Sequence, residues 1–150
     1  MKTNDEATGT SSFVKTEQVW FTEEKIQAIK DLPIWLVQSA DDPVVVPMNY
    51  MLPTYQALVK AGAENTWVSY FETVEGTDSP GTTYLGHFAW IYLFNNQVTG
   101  VQDKEAIVAS TDAETFGFEA SNANGGGAAA ATVGETTYTN IFEWLNDQSK

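Results

Sequence analysis

Apolar positions along the chain fall in short, separated blocks. The first 18 residues are polar and aperiodic, which predicts a disordered lead-in before a folded body over residues 19–150. Thr22 precedes Glu23 and Glu24, with Ile26 and Ile29 following. A threonine cap with acids in the first turn predicts a short helix. Pro33-Ile34-Trp35-Leu36-Val37-Gln38 is a brief continuous apolar run, the pattern of a strand buried on both faces in a parallel sheet. The polar stretch Ser39-Ala40-Asp41-Asp42-Pro43 follows at its C-terminal end, where open α/β sheets build their sites.

Met48, Met51, Leu52, Tyr55, Leu58 and Val59 make a helical stripe over residues 47–61. Pro53 inside it predicts a kink or a restart, and Gly62 a left-handed stop. Thr66-Trp67-Val68-Ser69-Tyr70-Phe71 reads as the next strand, completing a right-handed βαβ unit. A turn-rich loop spans 75–83, and the apolar run from Phe88 to Phe94 follows. That run reads as a short helix opening just after His87; a strand is the alternative, because periodicity does not decide a fully apolar run. Residues 96–136 carry scattered acids and the tract Gly125-Gly126-Gly127-Ala128-Ala129-Ala130-Ala131, which predicts a flexible or poorly ordered insertion. Tyr138, Ile141, Phe142 and Leu145 stand at helical spacing, an amphipathic C-terminal helix. The fold class is therefore α/β, with parallel strands and crossover helices.

Composition narrows the function. Within 150 residues, 43% are hydrophobic and 13% aromatic, enough to build a core. The net charge of −13 repels phosphate backbones and argues against nucleic-acid and anionic-membrane partners. There is no cysteine, which excludes disulfides, thiolate metal sites and a Cys nucleophile. Asp103, Asp112 and Glu114 lack the spacing of a calcium loop, so no metal site is expected. No apolar run approaches the ~20 residues of a membrane span, and residues 1–12 lack the apolar core of a signal peptide. Trp35, Trp67 and Trp90 read as core residues, Trp90 alternatively as the edge of a substrate cleft.

One pair of residues carries chemistry. Asp42 follows the first predicted strand and His87 the second, 45 residues on. A carboxylate that accepts the imidazole Nδ1 proton fixes the tautomer, and leaves the other ring nitrogen to act as a base. His87 is the only histidine. Asp42 could simply cap the following helix; the histidine downstream favours the catalytic reading. Asp41 reads as a solvated neighbour or a loop hydrogen-bonder.

Four segments together resemble the α/β-hydrolase superfamily. Leu36-Val37-Gln38-Ser39-Ala40-Asp41-Asp42-Pro43-Val44-Val45 is similar to the acid-bearing "HGxxDxxV" strand and loop, with Gln38 in the usual His place and Ser39 in the usual Gly place. Tyr55-Gln56-Ala57-Leu58-Val59-Lys60-Ala61-Gly62-Ala63 resembles the following "YQALKAAGA" helix, Gly86-His87-Phe88-Ala89-Trp90 the "GHxxW" segment, and Phe142-Glu143-Trp144-Leu145 the closing "FxWL" helix. The resemblance covers about residues 23–95 and 136–147, and is nearest to secreted esterases and predicted peptidases of feruloyl and polyhydroxybutyrate esterase type, near the prolyl oligopeptidase branch. It implies hydrolysis of a carboxylic ester, alternatively an amide, through an acyl-enzyme. Asp42 and His87 would be acid and base, no cofactor would be needed, and the setting would be extracellular.

The departures are as informative. The family's Gly-x-Ser-x-Gly elbow does not occur; Gly9-Thr10-Ser11-Ser12-Phe13 lacks the second glycine. The oxyanion segment and about five upstream strands have no counterpart. The acid loop carries one extra valine in Pro43-Val44-Val45-Val46-Pro47, which leaves Asp41 and Asp42 both open as the acid. The chain therefore reads as the C-terminal portion of a serine hydrolase, inactive alone, with no substrate-binding residue assignable. The insertion is placed to cap the active-site mouth. The alternative is a catalytically inert, hydrolase-derived interaction module. Half a parallel sheet leaves a sticky edge, which predicts self-association.

Overall fold

The computed structural model describes residues 2–4, 11–13, 21–76 and 79–148. Most of the predicted lead-in lies outside the described residues; within it, β1 (Lys2–Asn4) and β2 (Ser11–Phe13) pair antiparallel. The body begins with α1 (Glu23–Ile29), whose Lys25 N–H is accepted by the Thr22 hydroxyl at 3.3 Å. Then follow β3 (Ile34–Ser39), α2 (Met51–Lys60) and β4 (Thr66–Phe71). β3 and β4 pair in parallel, Ile34 opposite Thr66 through Ser39 opposite Phe71, with α2 as the crossover. The chain is of α/β class, and this parallel pair is its centre.

Side chains alternate across the pair. Leu36, Val68 and Tyr70 face α2 and pack with Leu52, Tyr55, Ile107 and Phe118. Trp35, Val37, Trp67 and Phe71 face the other way, against Tyr92, Ile141 and Trp144. Tyr55, Val68 and Phe71 are fully buried, each worth about 1.5–3 kcal/mol of apolar transfer. The Tyr55 hydroxyl spends its donor on Thr66 O at 3.1 Å, so its burial leaves no polar group stranded.

The helix after β3 does restart, but not at the proline. A 3₁₀ turn covers Pro47–Asn49, Tyr50 leaves helical geometry at φ −134°, and α2 opens at Met51. Pro53 then sits in the first turn, where its missing N–H has no partner to lose, so no kink results. Gly62 closes the helix at φ +87°, as expected.

Beyond β4 come β5 (Val74–Glu75) and β6 (Thr83–Tyr84), then a 3₁₀ turn over Gly86–Phe88 that runs into α3 (Trp90–Phe94). The apolar run is therefore helical. α4 (Lys104–Ala109) is capped by Asp103, and the Lys104 ammonium lies 3.6 Å over the Trp67 ring. β7 (Ala131–Val133), β8 (Thr136–Tyr138) and α5 (Ile141–Asp147) complete the chain.

Two expectations are corrected here. Residues 96–136 are not a loose insertion. Val98, Val101 and Ile107 are fully buried, and the segment runs along the outer edge of β4 in place of a third strand. Val68 O accepts from Gln102 N, Tyr70 N donates to Gly126 O, and Tyr70 O accepts from Ser121 N, all at 2.7–2.9 Å. The glycines serve contact: a Cβ on Gly126 would lie 2.4 Å from Ser69 Cβ. The C-terminal stripe is also displaced. Tyr138 belongs to β8, Asn140 caps α5 by accepting from Phe142 and Glu143 N–H, and the buried residues are Ile141 and Trp144. Phe142 and Leu145 point outward, 39% and 54% exposed. The cap starts the helix later than the spacing implied, and so rotates its buried face.

Gly126→Ala should lower stability in urea unfolding by about 2–3 kcal/mol, because the methyl group meets backbone and Cβ of a central strand. Gly134→Ala, also at positive φ but with open space around it, should cost about 1 kcal/mol. Equal losses would mean that close approach at Gly126 contributes nothing.

Candidate active site

β3 and β4 end level with one another, and both delivery loops leave from that end. After Ser39 the chain turns through Ala40 and Asp41, with Ala40 N donating to Phe71 O at 2.7 Å. Asp42 follows, 6% exposed. Its Oδ1 accepts from Val44 N at 2.9 Å and Val45 N at 3.0 Å. This is an Asx-type turn, in which the carboxylate organises its own loop. Gln38, at the end of the strand, donates to Asp42 Oδ2 at 3.3 Å and to Val45 O at 2.5 Å. Gln38 thus ties the two ends of the acid loop together.

His87 arrives from the other side, in the 3₁₀ turn. Its Nδ1 lies 3.2 Å from Asp42 Oδ2 and 3.3 Å from Oδ1. An ionised carboxylate only accepts, so Nδ1 carries the proton and donates it. Nε2 is left without a hydrogen-bond partner among the described residues. The approach depends on Gly86: a Cβ there would fall 2.2 Å from Asp41 Oδ1 and 2.6 Å from Asp42 N. The turn bearing the histidine rests directly on the backbone of the acid loop, and only glycine leaves it room.

Of the two aspartates, Asp42 is therefore the one paired with the imidazole. Asp41 accepts from the Ser39 hydroxyl at 2.5 Å and makes no hydrogen bond with the imidazole. The ionisation of Asp42 has opposing causes. Burial, the largest single effect, pushes its pKa up. The N–H groups of Val45 and Val44, then His87 and Gln38, together outweigh burial and hold the carboxyl below its ordinary value.

A cavity of about 390 Å³ opens beside the pair. Trp35 and Val37 of β3, Trp90 and Leu93 of α3 and Ile141 of α5 line it, together with His87 and Asp42. Trp90 is 45% exposed and meets the His87 ring edge-on at 5.8 Å, so it edges the cleft and is not a core residue. Among the described residues, no hydroxyl or thiol lines this cavity. Nor does any residue of 96–136, so that segment does not cap it, in contrast to the expectation. Ser39 and Ser69 are fully buried and spend their hydroxyls on Asp41 and on Gly100 O.

The structure brings together Asp42 and His87, the two residues that the sequence spacing singled out. That spacing assigned no part to Gln38, whose signal was a polar side chain closing an apolar strand. As it stands, the site can hold an imidazole in one tautomer, remove a proton at Nε2, and stabilise the resulting cation through Asp42. Comparison with family models, curated proteins and solved structures finds no match.

Asp42→Asn should cost about 1–3 kcal/mol at neutral pH. Because the carboxyl is lowered on folding, its ionised form contributes stability above the unfolded value, near 3.8, that is lost as pH falls through the folded value. The gap between wild type and variant should therefore narrow progressively as pH falls below 3.8 in urea unfolding. Nitrogen shifts of the single imidazole should report the Nδ1–H tautomer in the wild type and a tautomer mixture in Asp42→Asn.

Proposed function

We propose that this chain is the acid–base portion of a serine hydrolase of α/β-hydrolase type, acting on carboxylic esters, with amides as the alternative substrate. One observation carries this reading: an imidazole bound at Nδ1 to a buried carboxylate, with Nε2 unpartnered among the described residues, beside a cavity that no described hydroxyl or thiol lines. The parallel strands and the glycine-dependent approach of the two loops support it.

In this reading a serine from a segment that follows none of the described elements faces Nε2. His87 takes the hydroxyl proton as the oxygen bonds to the ester carbonyl. Asp42 stabilises the imidazolium, which then protonates the departing alcohol oxygen. Water repeats the sequence on the acyl-serine: it loses a proton to His87, and the acid and the free serine are released.

The chain alone should give no His87-dependent turnover of p-nitrophenyl acetate and no labelling by a fluorophosphonate. Joined to a segment bearing Gly-x-Ser-x-Gly, it should hydrolyse the ester and lose about 10³-fold or more in kcat on His87→Ala. Labelling of the chain alone that disappears with His87→Ala would overturn the assignment of the nucleophile to another segment.

A second reading is an inert interaction module. β3 pairs only with β4 among the described strands, and Trp90, Phe94 and Leu145 are exposed. No helix among the described residues is long and apolar enough to cross a membrane. In this reading the exposed apolar surface serves protein contact. Sedimentation should then show concentration-dependent association that a Trp90→Lys/Phe94→Lys double variant abolishes.

A further inference from the structure

A second cavity, of about 330 Å³, lies on the other side of the acid loop. That size falls at the small end of ligand pockets. The acid loop supplies one wall through Ala40, Val46 and Pro47. Leu52 of α2, Tyr70 of β4 and Phe118 also line it. No residue lining it also lines the cavity beside His87.

Its chemistry is specific. Tyr70 is 8% exposed, with its ring edge-on to Phe118 at 5.9 Å. The Tyr70 hydroxyl makes no hydrogen bond with any described residue. Among the described residues, Thr66 Oγ1 is the unpartnered side-chain atom that is fully enclosed, so the Tyr70 hydroxyl keeps access to open space. The space that Tyr70 lines is this cavity. A phenol that opens on such a space gives its hydrogen bond to water, and a bound group that displaces the water must accept that bond instead. The rim carries Glu114, and the chain as a whole is strongly acidic. Both disfavour an anion.

We propose that this cavity binds a small neutral group with a flat apolar body and one oxygen that accepts from the Tyr70 hydroxyl. The apolar body would rest against Leu52, Phe118, Val46 and Pro47, which line the cavity. The segment 112–120, which the glycine-rich crossing of β4 holds in place, thereby acts as a binding wall. This site does not depend on ester hydrolysis at His87, and stands or falls separately from it.

The test uses acetophenone, ethylbenzene of similar size without an oxygen, and benzoate as the anion, each titrated into the purified chain and followed by amide NMR. Acetophenone should give saturable shifts centred on Ala40, Leu52 and Phe118, and bind about fivefold more tightly than ethylbenzene. Benzoate should bind most weakly. Tyr70→Phe should erase the preference for acetophenone while ethylbenzene binding persists. Ala120→Phe, which fills the cavity from its far wall, should abolish both. Non-saturable shifts, equal affinity for acetophenone and ethylbenzene, or binding unchanged in Ala120→Phe would each overturn the proposal. Should Ala120→Phe fail to fold, the preference lost or kept in Tyr70→Phe decides alone.

Discussion

The parallel register of β3 and β4 is the constraint on which the site depends. Two strands running the same way, paired from Ile34 and Thr66 to Ser39 and Phe71, must release their following loops at one end. Asp42 leaves after the first strand and His87 after the second. Residues distant in sequence are thereby brought to hydrogen-bonding distance without either loop crossing the sheet. An antiparallel pair would have sent the second loop to the opposite edge. Everything local at the site refines a meeting that the pairing has already arranged.

The refinement is made by backbone. Val44 and Val45 N–H groups hold the Asp42 carboxylate, and Gln38 ties the strand to the loop. Gly86 lets the histidine turn rest against Asp41 and Asp42. The same device recurs along β4, where Gly126 brings a loop against Ser69. In both places, close packing of main chain replaces a layer of side chains. It fixes position with little apolar area, in a chain whose central sheet has two strands.

How much of this was legible in the sequence follows from the range of each interaction. The parallel strands β3 and β4, the crossover helix and the glycine stop of α2 are written in local patterns, and all were readable; the short antiparallel strands were not. Asp42 and His87 were also readable, because a strand followed by a polar break marks a loop at a sheet end. Choosing Asp42 over Asp41 needed the approach of the imidazole from another part of the chain. The glycine–alanine tract was misread for a physical reason. A glycine that frees a linker and a glycine that admits a neighbouring backbone look alike until the neighbour is known. Ser69, the neighbour of Gly126, lies 57 positions away along the chain. The C-terminal stripe failed differently: Asn140 placed the start of α5, and with it the face turned inward.

The irregular crossing of β4 has a further consequence, for polymerisation. A sheet open on both flanks can add strands without limit, the route to fibres. Here one flank is sealed, because Tyr70 spends its N–H on Gly126 and its carbonyl on Ser121. Among the described strands, the open flank that remains is that of β3. Two copies meeting through that strand would each present a sealed flank to the outside, and the assembly would terminate as a pair. The loop that replaces the third strand thus acts as a chain stopper.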